Sequence, residues 1–462
     1  MSESGIGLGT IALAWLLNHD GYGAEAKAFA PGPHFTPKAK RVIHIFSLGG
    51  VSHVDTFDYK PDLEKHHGKP LLDKGKLDTF FGKPGNLMKS LYAFRQRGGS
   101  GMWVSDLLPH LANCVDDMAF IHSMVSKSSS HTPATFQMNT GFTLNGFPCM
   151  GAWLSYGLGS INQQLPMFVV LPDPRGLPAG GSNNWSQGFL PAEHQGTPFR
   201  TDTAEPVANL QTPAEISPKK RQASLELLAR LNQQFADDNP GDSALAARVR
   251  SYELAARMQA SIPEAINFSD ESEATKRLYG LDNAVTAGFG RNCLLARRLI
   301  ERGVRFVQLM NGGAFGSPRI NWDAHEDLKD NHDKQAAVFD KPCAGLLKDL
   351  KQRGLLDDTL VFWSSEFGRT PFTEGVNGKG RDHHNLVFTC WLAGAGLKKG
   401  IRYGASDEVG YLPAEQPTTV HDFHATILHL LGLDHTRLTF YHNGIQRRLT
   451  DVHGHVLNEI LA

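Results

Sequence analysis

The chain has no CxxC pair, no excess of either charge and no apolar run long enough to cross a membrane. Its five cysteines, Cys114, Cys149, Cys293, Cys343 and Cys390, are scattered, which excludes a zinc ribbon or a thioredoxin-type motif. The odd count leaves at least one thiol outside any internal disulfide, while one or two bridges are compatible with an exported protein. The formal net charge of -1 gives no global field to attract nucleic acid or an anionic membrane. Lys38-Ala39-Lys40-Arg41 is the one dense basic stretch near the start, and it reads as the solvated entrance to a strand. No segment reaches ~18 uninterrupted apolar residues, so no integral membrane span is expected. A G-x-S-x-G elbow is missing, which argues against a Ser-His-Asp hydrolase. Neither G-x-x-x-x-G-K-[ST] nor a strand-linked G-x-G-x-x-G is present, which argues against nucleotide binding by those routes.

What is present is a globular composition: 462 residues, 41% hydrophobic, 20% charged and 47 glycines. That length suits one large α/β domain with insertions, or two domains. Near the start, Gly5–Leu17 is mostly apolar and Ala24-Glu25-Ala26 follows it. The first is too short to span a membrane and fits a signal h-region; the second is an A-x-A cleavage pattern. A positive n-region is missing, so residues 1–26 read as the distal part of a twin-arginine signal whose arginines lie upstream. Export to the periplasm or the cell exterior is the expectation. A short buried helix in a cytoplasmic protein is the other reading.

From residue 27 on, strands alternate with helices. Arg41–Leu48, Asp117–Ser123, Leu165–Leu171, Val304–Leu309, Thr359–Trp363 and Val387–Leu392 are short apolar runs, the pattern of strands buried on both faces. Helices are expected from Pro133, through Leu294–Glu301, over His332–Arg353 and over Val420–Leu431. The pattern implies an α/β fold: a three-layer α/β/α sandwich around a largely parallel sheet. Residues 172–290 read as an insertion. Pro172–Pro218 is a loop-rich excursion in which Trp185 and Phe189 are either stacking residues or core anchors. Lys219–Ala260 is helical, broken at Asn239-Pro240-Gly241, with Asp242 or Ser243 as the next N-cap.

Ligands bind in the crevice at the carboxyl ends of parallel strands, and four loops there collect metal-binding side chains. They are Ser52–Asp58 with His53 and Asp55, Ser128–Pro133 with His131 and Thr132, Asn321–His325 with Asp323 and His325, and Glu366–His384 with Arg369, Asp382, His383 and His384. Carboxylate oxygens with imidazole nitrogens suit Zn²⁺, Mn²⁺ or iron, whereas Ca²⁺ takes oxygens. The predicted metal ligands are His53, Asp55, Asp323, His325, Glu366, Asp382 and one or both of His383 and His384. The expected cofactor is a divalent ion, Zn²⁺ or Mn²⁺ before Ca²⁺. Arg369 is either a bidentate anion clamp or a salt bridge beneath the loop.

LGGVSHVDTFDYKP, NWDAHED, EFGRTP, GKGRDHHN, YGASDEVGY and HDFHATILHLLGLD together resemble a bacterial family of exported proteins of unknown function, placed in the alkaline phosphatase-like superfamily. The resemblance runs from about Pro33 to Asp451. It implies a hydrolase of phosphate or sulfate esters acting on an anionic ester, sulfated or phosphorylated. In that superfamily a late strand ends in a Ser-Asp-His-Gly type motif. The similar stretch here is Ser365-Glu366-Phe367-Gly368, where Glu366 can serve as an oxygen ligand and Phe367 cannot replace the histidine. Asp323 and His325 match an upstream Asp and His in order, and His383 or His384 matches a final histidine. His53 and Asp55 are candidates to substitute for the first-strand Asp. The nucleophile position falls on His131, so formylglycine chemistry is excluded there. His131 then acts as base or ligand. Thr132 or Ser130 supplies the hydroxyl, or a metal-bound water attacks the metal-polarised ester directly. The competing expectation is a non-catalytic extracytoplasmic binding or assembly protein that keeps the fold.

Overall fold

The computed structural model describes residues 31–72, 74–162, 164–203, 206–207, 216–238, 258, 261–313 and 319–462. The signal-like segment 1–26 and the break at Asn239–Gly241 with its N-cap lie outside the described residues. One compact unit spans Pro33–Ala462.

The strands used below are β1 (Arg41–Ser47), β2 (Pro84–Leu87), β3 (Phe94–Arg97), β4 (Met102–Ser105), β5 (Met118–Val125), β6 (Phe168–Leu171), β7 (Thr197–Pro198), β8 (Phe306–Asn311), β9 (Thr359–Ser365), β10 (Gly368–Glu374), β11 (Arg381–His384), β12 (Phe388–Gly394) and β13 (Ile401–Tyr403). The main sheet runs β13-β5-β12-β9-β1-β8-β6-β7, with Thr418–Thr419 added beside β5. Every pairing in it is parallel except those of β12, which runs against both β5 and β9. The largely parallel sheet expected from the sequence is therefore present.

The helices used below are α1 (His131–Thr140), α2 (Met150–Leu158), α3 (Pro218–Asp238), α4 (Ala284–Glu301), α5 (Leu328–Gln352) and α6 (Val420–Leu430). Alternating strand residues feed two cores, because successive side chains leave opposite faces. Ile43, Ile45, Val307, Leu309, Val361 and Trp363 pack with α4 and α5. Val42, Phe46, Phe306, Met310, Leu360 and Phe362 pack with α2 and α6. Helices thus cover both faces, and the strands read as unbroken apolar runs for that reason. Each fully buried aliphatic or phenyl side chain contributes roughly 1.5–3 kcal/mol. Helix starts are capped by side chains: Asn283 accepts from Val285 N at the head of α4, Asp327 from Asp330 N at α5, and Thr419 with Asp422 forms a capping box at α6.

Three features differ from the sequence reading. All five cysteines are buried and unbridged, so no disulfide forms. The stretch after Glu366 is not a loop: β10 and β11 pair antiparallel and join β2 in a second, three-stranded sheet. Its polar, glycine-rich sequence carries no apolar alternation to announce it. In the excursion after Pro172, Trp185 is buried and Phe189 packs against the second core, which makes both anchors.

Candidate metal centre

The centre lies at the carboxyl rim of the main sheet. Ser47 of β1 pairs with Asn311 of β8 and Ser365 of β9, so three parallel strands end level. Beyond β8, Trp322 pins the next loop. Its backbone N–H donates to Leu48 O (2.8 Å), its indole N–H to Asn311 Oδ1 (2.8 Å), and its ring meets Phe339 edge-on at 5.8 Å. That anchoring turns Asp323 and His325 toward the rim. Beyond β1, Gly49 and Gly50 have φ of +112° and +72°. A Cβ on Gly49 would lie 2.5 Å from Asp323 N, and one on Gly50 would lie 2.5 Å from the Phe367 ring. Only glycine allows this close approach.

Four ligand atoms converge there. Asp323 Oδ1 lies 2.8 Å from His325 Nε2, 3.3 Å from His131 Nε2 and 3.3 Å from His383 Nε2. His325 Nε2 and His383 Nε2 are 2.8 Å apart. All four residues offer atoms within 4.8 Å of one another. The other nitrogen of each ring faces an oxygen: His131 Nδ1 faces Glu366 Oε1 (2.7 Å), His383 Nδ1 faces Ser129 O (2.6 Å), and His325 Nδ1 faces a carboxylate oxygen of Glu374. A histidine whose Nδ1–H is held by an oxygen turns a bare Nε2 lone pair outward, as metal-binding imidazoles do. Three such lone pairs and a carboxylate oxygen repel one another unless protons or a cation lie between them. A tetrahedral ion with ligand arms of roughly 2.0–2.2 Å has ligand-to-ligand edges of about 3.3–3.6 Å. Small outward shifts of these side chains reach that size, so the donor set fits a divalent metal.

The charges around the four are buried. Burial opposes ionisation of Asp323, but the Arg369 guanidinium and the three imidazoles outweigh it and hold the carboxyl well below the usual range. Burial and then Arg369 push His383 down to about 2, which keeps its ring neutral. His131 moves the other way: burial lowers it, and its bonds to Asp323 and Glu366 more than offset that. Glu366 is fully buried at the end of β9, where it also accepts Gly49 N–H at 2.8 Å. The Phe367 ring packs against His131 (5.0 Å) and His383 (4.7 Å).

Arg369 is a brace rather than an anion clamp. Its five N–H groups go to Gly50 O, Gly49 O, Arg381 O, His325 Nε2 and Asp323 Oδ1, and the side chain is fully buried. Four of these acceptors are oxygens of the protein itself and the fifth is a nitrogen that a metal would claim; with the side chain buried among them, the salt-bridge reading of this residue is the one that fits.

Of the predicted ligands, Asp323, His325 and His383 meet in the centre, joined by His131, with Glu366 one bond further out. His53, Asp55 and His384 do not enter it. Asp55 is paired with buried Arg381 (Nε–Oδ2, 2.8 Å) and accepts from Ser52 Oγ. His53 Nε2 and His384 Nε2 bond to Gly410 O (2.9 Å) and Tyr411 O (2.7 Å). Asp382 accepts the N–H groups of Phe80, Phe81 and His383, and with His325 and Glu374 makes a second group of potential ligands. Thr132 follows His131 in the first turn of α1 and is half-buried. Sequence reasoning missed Glu374, Arg319 and the pair Phe80–Phe81. None sits in a motif, and each reaches the centre only through the fold.

The family described as "Protein of unknown function (DUF1501)" matches residues 39–461. No curated protein matches. Similar solved structures include the PsFucS1 sulfatase from Pseudoalteromonas sp., at 12% identity, TM-score 0.33, covering 91% of this chain and 72% of that one. A mutant TAB5 alkaline phosphatase with Mg bound is similar at 11% identity, TM-score 0.35, covering 86% and 99%. The C-terminal periplasmic domain of EcEptC from Escherichia coli, in complex with Zn, is similar at 9% identity, TM-score 0.35, covering 88% and 87%. Likenesses this distant say nothing of what the present chain acts on.

Proposed function

Because the chain belongs to the DUF1501 family, whose function is unknown, its activity must be read from its own residues, and we propose that it is a metal-dependent hydrolase of phosphate or sulfate esters. One observation carries the reading: three imidazole Nε2 atoms and Asp323 Oδ1 converge while every Nδ1 is turned to an oxygen. Three nitrogens and one oxygen favour Zn²⁺ or Mn²⁺ over Ca²⁺. Such an ion supplies Lewis acidity toward an ester oxygen.

The chain's own residues do the rest. His131, Asp323, His325 and His383 hold the ion, and Glu366 and Glu374 fix two of the rings. Arg369 orients Asp323. The Thr132 hydroxyl beside His131 in sequence is the candidate nucleophile, with water as the other. Attack forms a new bond to phosphorus or sulfur as the bond to the leaving oxygen breaks and the nucleophile's proton passes to that oxygen; where Thr132 attacks, a water then cleaves the ester formed on it. The test is turnover of a panel of phospho- and sulfo-esters by Zn²⁺- or Mn²⁺-loaded protein. Activity that tracks metal content and is lost in Asp323→Ala supports the reading, and full activity in that variant contradicts it.

A non-catalytic binding or assembly role is favoured by one observation, the full burial of Arg369 among acceptors of the protein itself. It predicts retained metal with no turnover across the same panel. No helix among the described residues is long and apolar enough to cross a membrane. Export rests on residues 1–26 and is tested by fractionation with N-terminal sequencing; an unprocessed cytoplasmic chain would contradict it.

A further inference from the structure

Phe80 and Phe81 are 41% and 48% exposed, yet both touch the centre. Phe80 stacks on His383 at 4.7 Å, Phe81 meets His325 edge-on at 5.1 Å, and the two phenyl rings stand at 89° to each other, 4.6 Å apart. Their backbone N–H groups both donate to Asp382 Oδ2 at 2.8 Å, and Asp78 N–H donates to the Tyr411 hydroxyl at 2.8 Å. Backbone bonds, rather than burial, hold the pair in place. Exposed large apolar groups weaken solubility and call for a reason. Here the reason lies in position, because both rings border two of the metal-binding histidines.

The Asp323 side of the centre is bordered by Arg319, whose side chain is 31% exposed. Its Nη1 donates to Asp323 O (3.0 Å) and Oδ2 (2.5 Å), and its Nη2 to Glu326 Oε1 (2.9 Å). Among the described residues, Nε–H and one Nη2–H of Arg319 stay uncommitted. Arg369 is fully buried, so Arg319 is the arginine on this centre that can reach an outside anion.

We infer that these three side chains read two parts of one substrate: Arg319 takes a non-reacting oxygen of the anionic ester, and Phe80 with Phe81 takes a planar apolar group carried on it. Perpendicular rings let a planar group stack on one phenyl and meet the edge of the other, the two favoured aromatic geometries. The inference rests on the hydrolase reading above and adds the class of ester: one whose carrier is a flat apolar ring.

The probes are methylphosphonate and phenylphosphonate, titrated calorimetrically into full-length protein exposed to Zn²⁺, with metal content measured separately. Phenylphosphonate is expected to bind at least ~10-fold more tightly, a difference of about 1.4 kcal/mol. In Phe80→Ala/Phe81→Ala that ratio should fall toward one. In Arg319→Ala both probes should weaken by a similar factor of roughly 10. Phe80→Ala/Phe81→Ala should keep the metal of the unmodified protein, and Arg319→Ala is compared at equal metal loading. A ratio near one in the unmodified protein overturns the inference without any variant, as does a ratio unchanged by the double substitution. Turnover of the ester panel judges the hydrolase reading separately, since the binding ratio is measured whether or not the protein turns an ester over.

Discussion

His383 and His384 are adjacent on β11, but they belong to two different polar clusters. His383 joins His131, His325 and Asp323, with Nε2 atoms pointing inward and Nδ1 atoms held from outside. His384 stacks over His53 at 6.3 Å, and the Nε2 atoms of both rings are spent on backbone carbonyls. Asp55, two residues from His53, is neutralised by Arg381. Residue types in the two clusters are almost the same. What separates them is which ring nitrogen is already satisfied. A histidine tied through Nε2 to a carbonyl is a structural donor, and one tied through Nδ1 has Nε2 left for a metal.

Breaking the second cluster should cost stability and leave metal binding intact. Asp55→Ala leaves Arg381 buried and unpaired, which is expected to cost about 3–5 kcal/mol in denaturant unfolding. Metal per folded chain should not change. A stable variant that has lost its metal would mean that Asp55 is a ligand after all.

The adjacent pair sharpens the contrast. His383→Ala should weaken Zn²⁺ binding by at least about 100-fold, its share of a four-ligand site. His384→Ala should leave the affinity unchanged in a competition titration against a chelating dye. Equal losses in both would erase the distinction between the clusters.

Effects one bond out should be smaller. Glu366→Gln and Glu374→Gln are each expected to lower metal affinity by about 10–100-fold, as outer partners of metal-binding histidines do. A full loss in either would promote that carboxylate to direct ligand.

The most gradual effect, spread over several pH units, is on acid stability. Burial pushes both His332 and His424 down to about 3. The sign follows from linkage: the unfolded chain takes up these protons near pH 6.5 and the folded one near 3. Their contribution is complete above about pH 6.5. It is lost as pH falls toward 3, at about 1.4 kcal/mol per pH unit for each ring. His424→Gln should flatten the fall of Tm between these pH values, and an unchanged slope would contradict the assignment.

These contrasts also mark what the sequence could convey. β1, β8 and β9 were legible because strands covered on both faces read as apolar runs, and the rim followed from their shared direction. Asp323, His325 and His383 were legible as ligand types at that rim. His53 and Asp55 have the same signature, and nothing local tells that Asp55 is met by Arg381, 326 residues away. The choice between His383 and His384 depends on how β11 is turned in its pairing with β10, where Arg369 lies opposite His383. Phe80, Phe81, Arg319 and Glu374 reach the centre from segments without motifs, so only their positions in space reveal them.

The most direct test of the central claim is elemental analysis of the purified protein after dialysis, alongside Asp323→Ala. About one Zn²⁺ or Mn²⁺ per chain, absent from the variant, is the predicted result. No metal retained, and none taken up on addition of Zn²⁺ or Mn²⁺, would contradict the account.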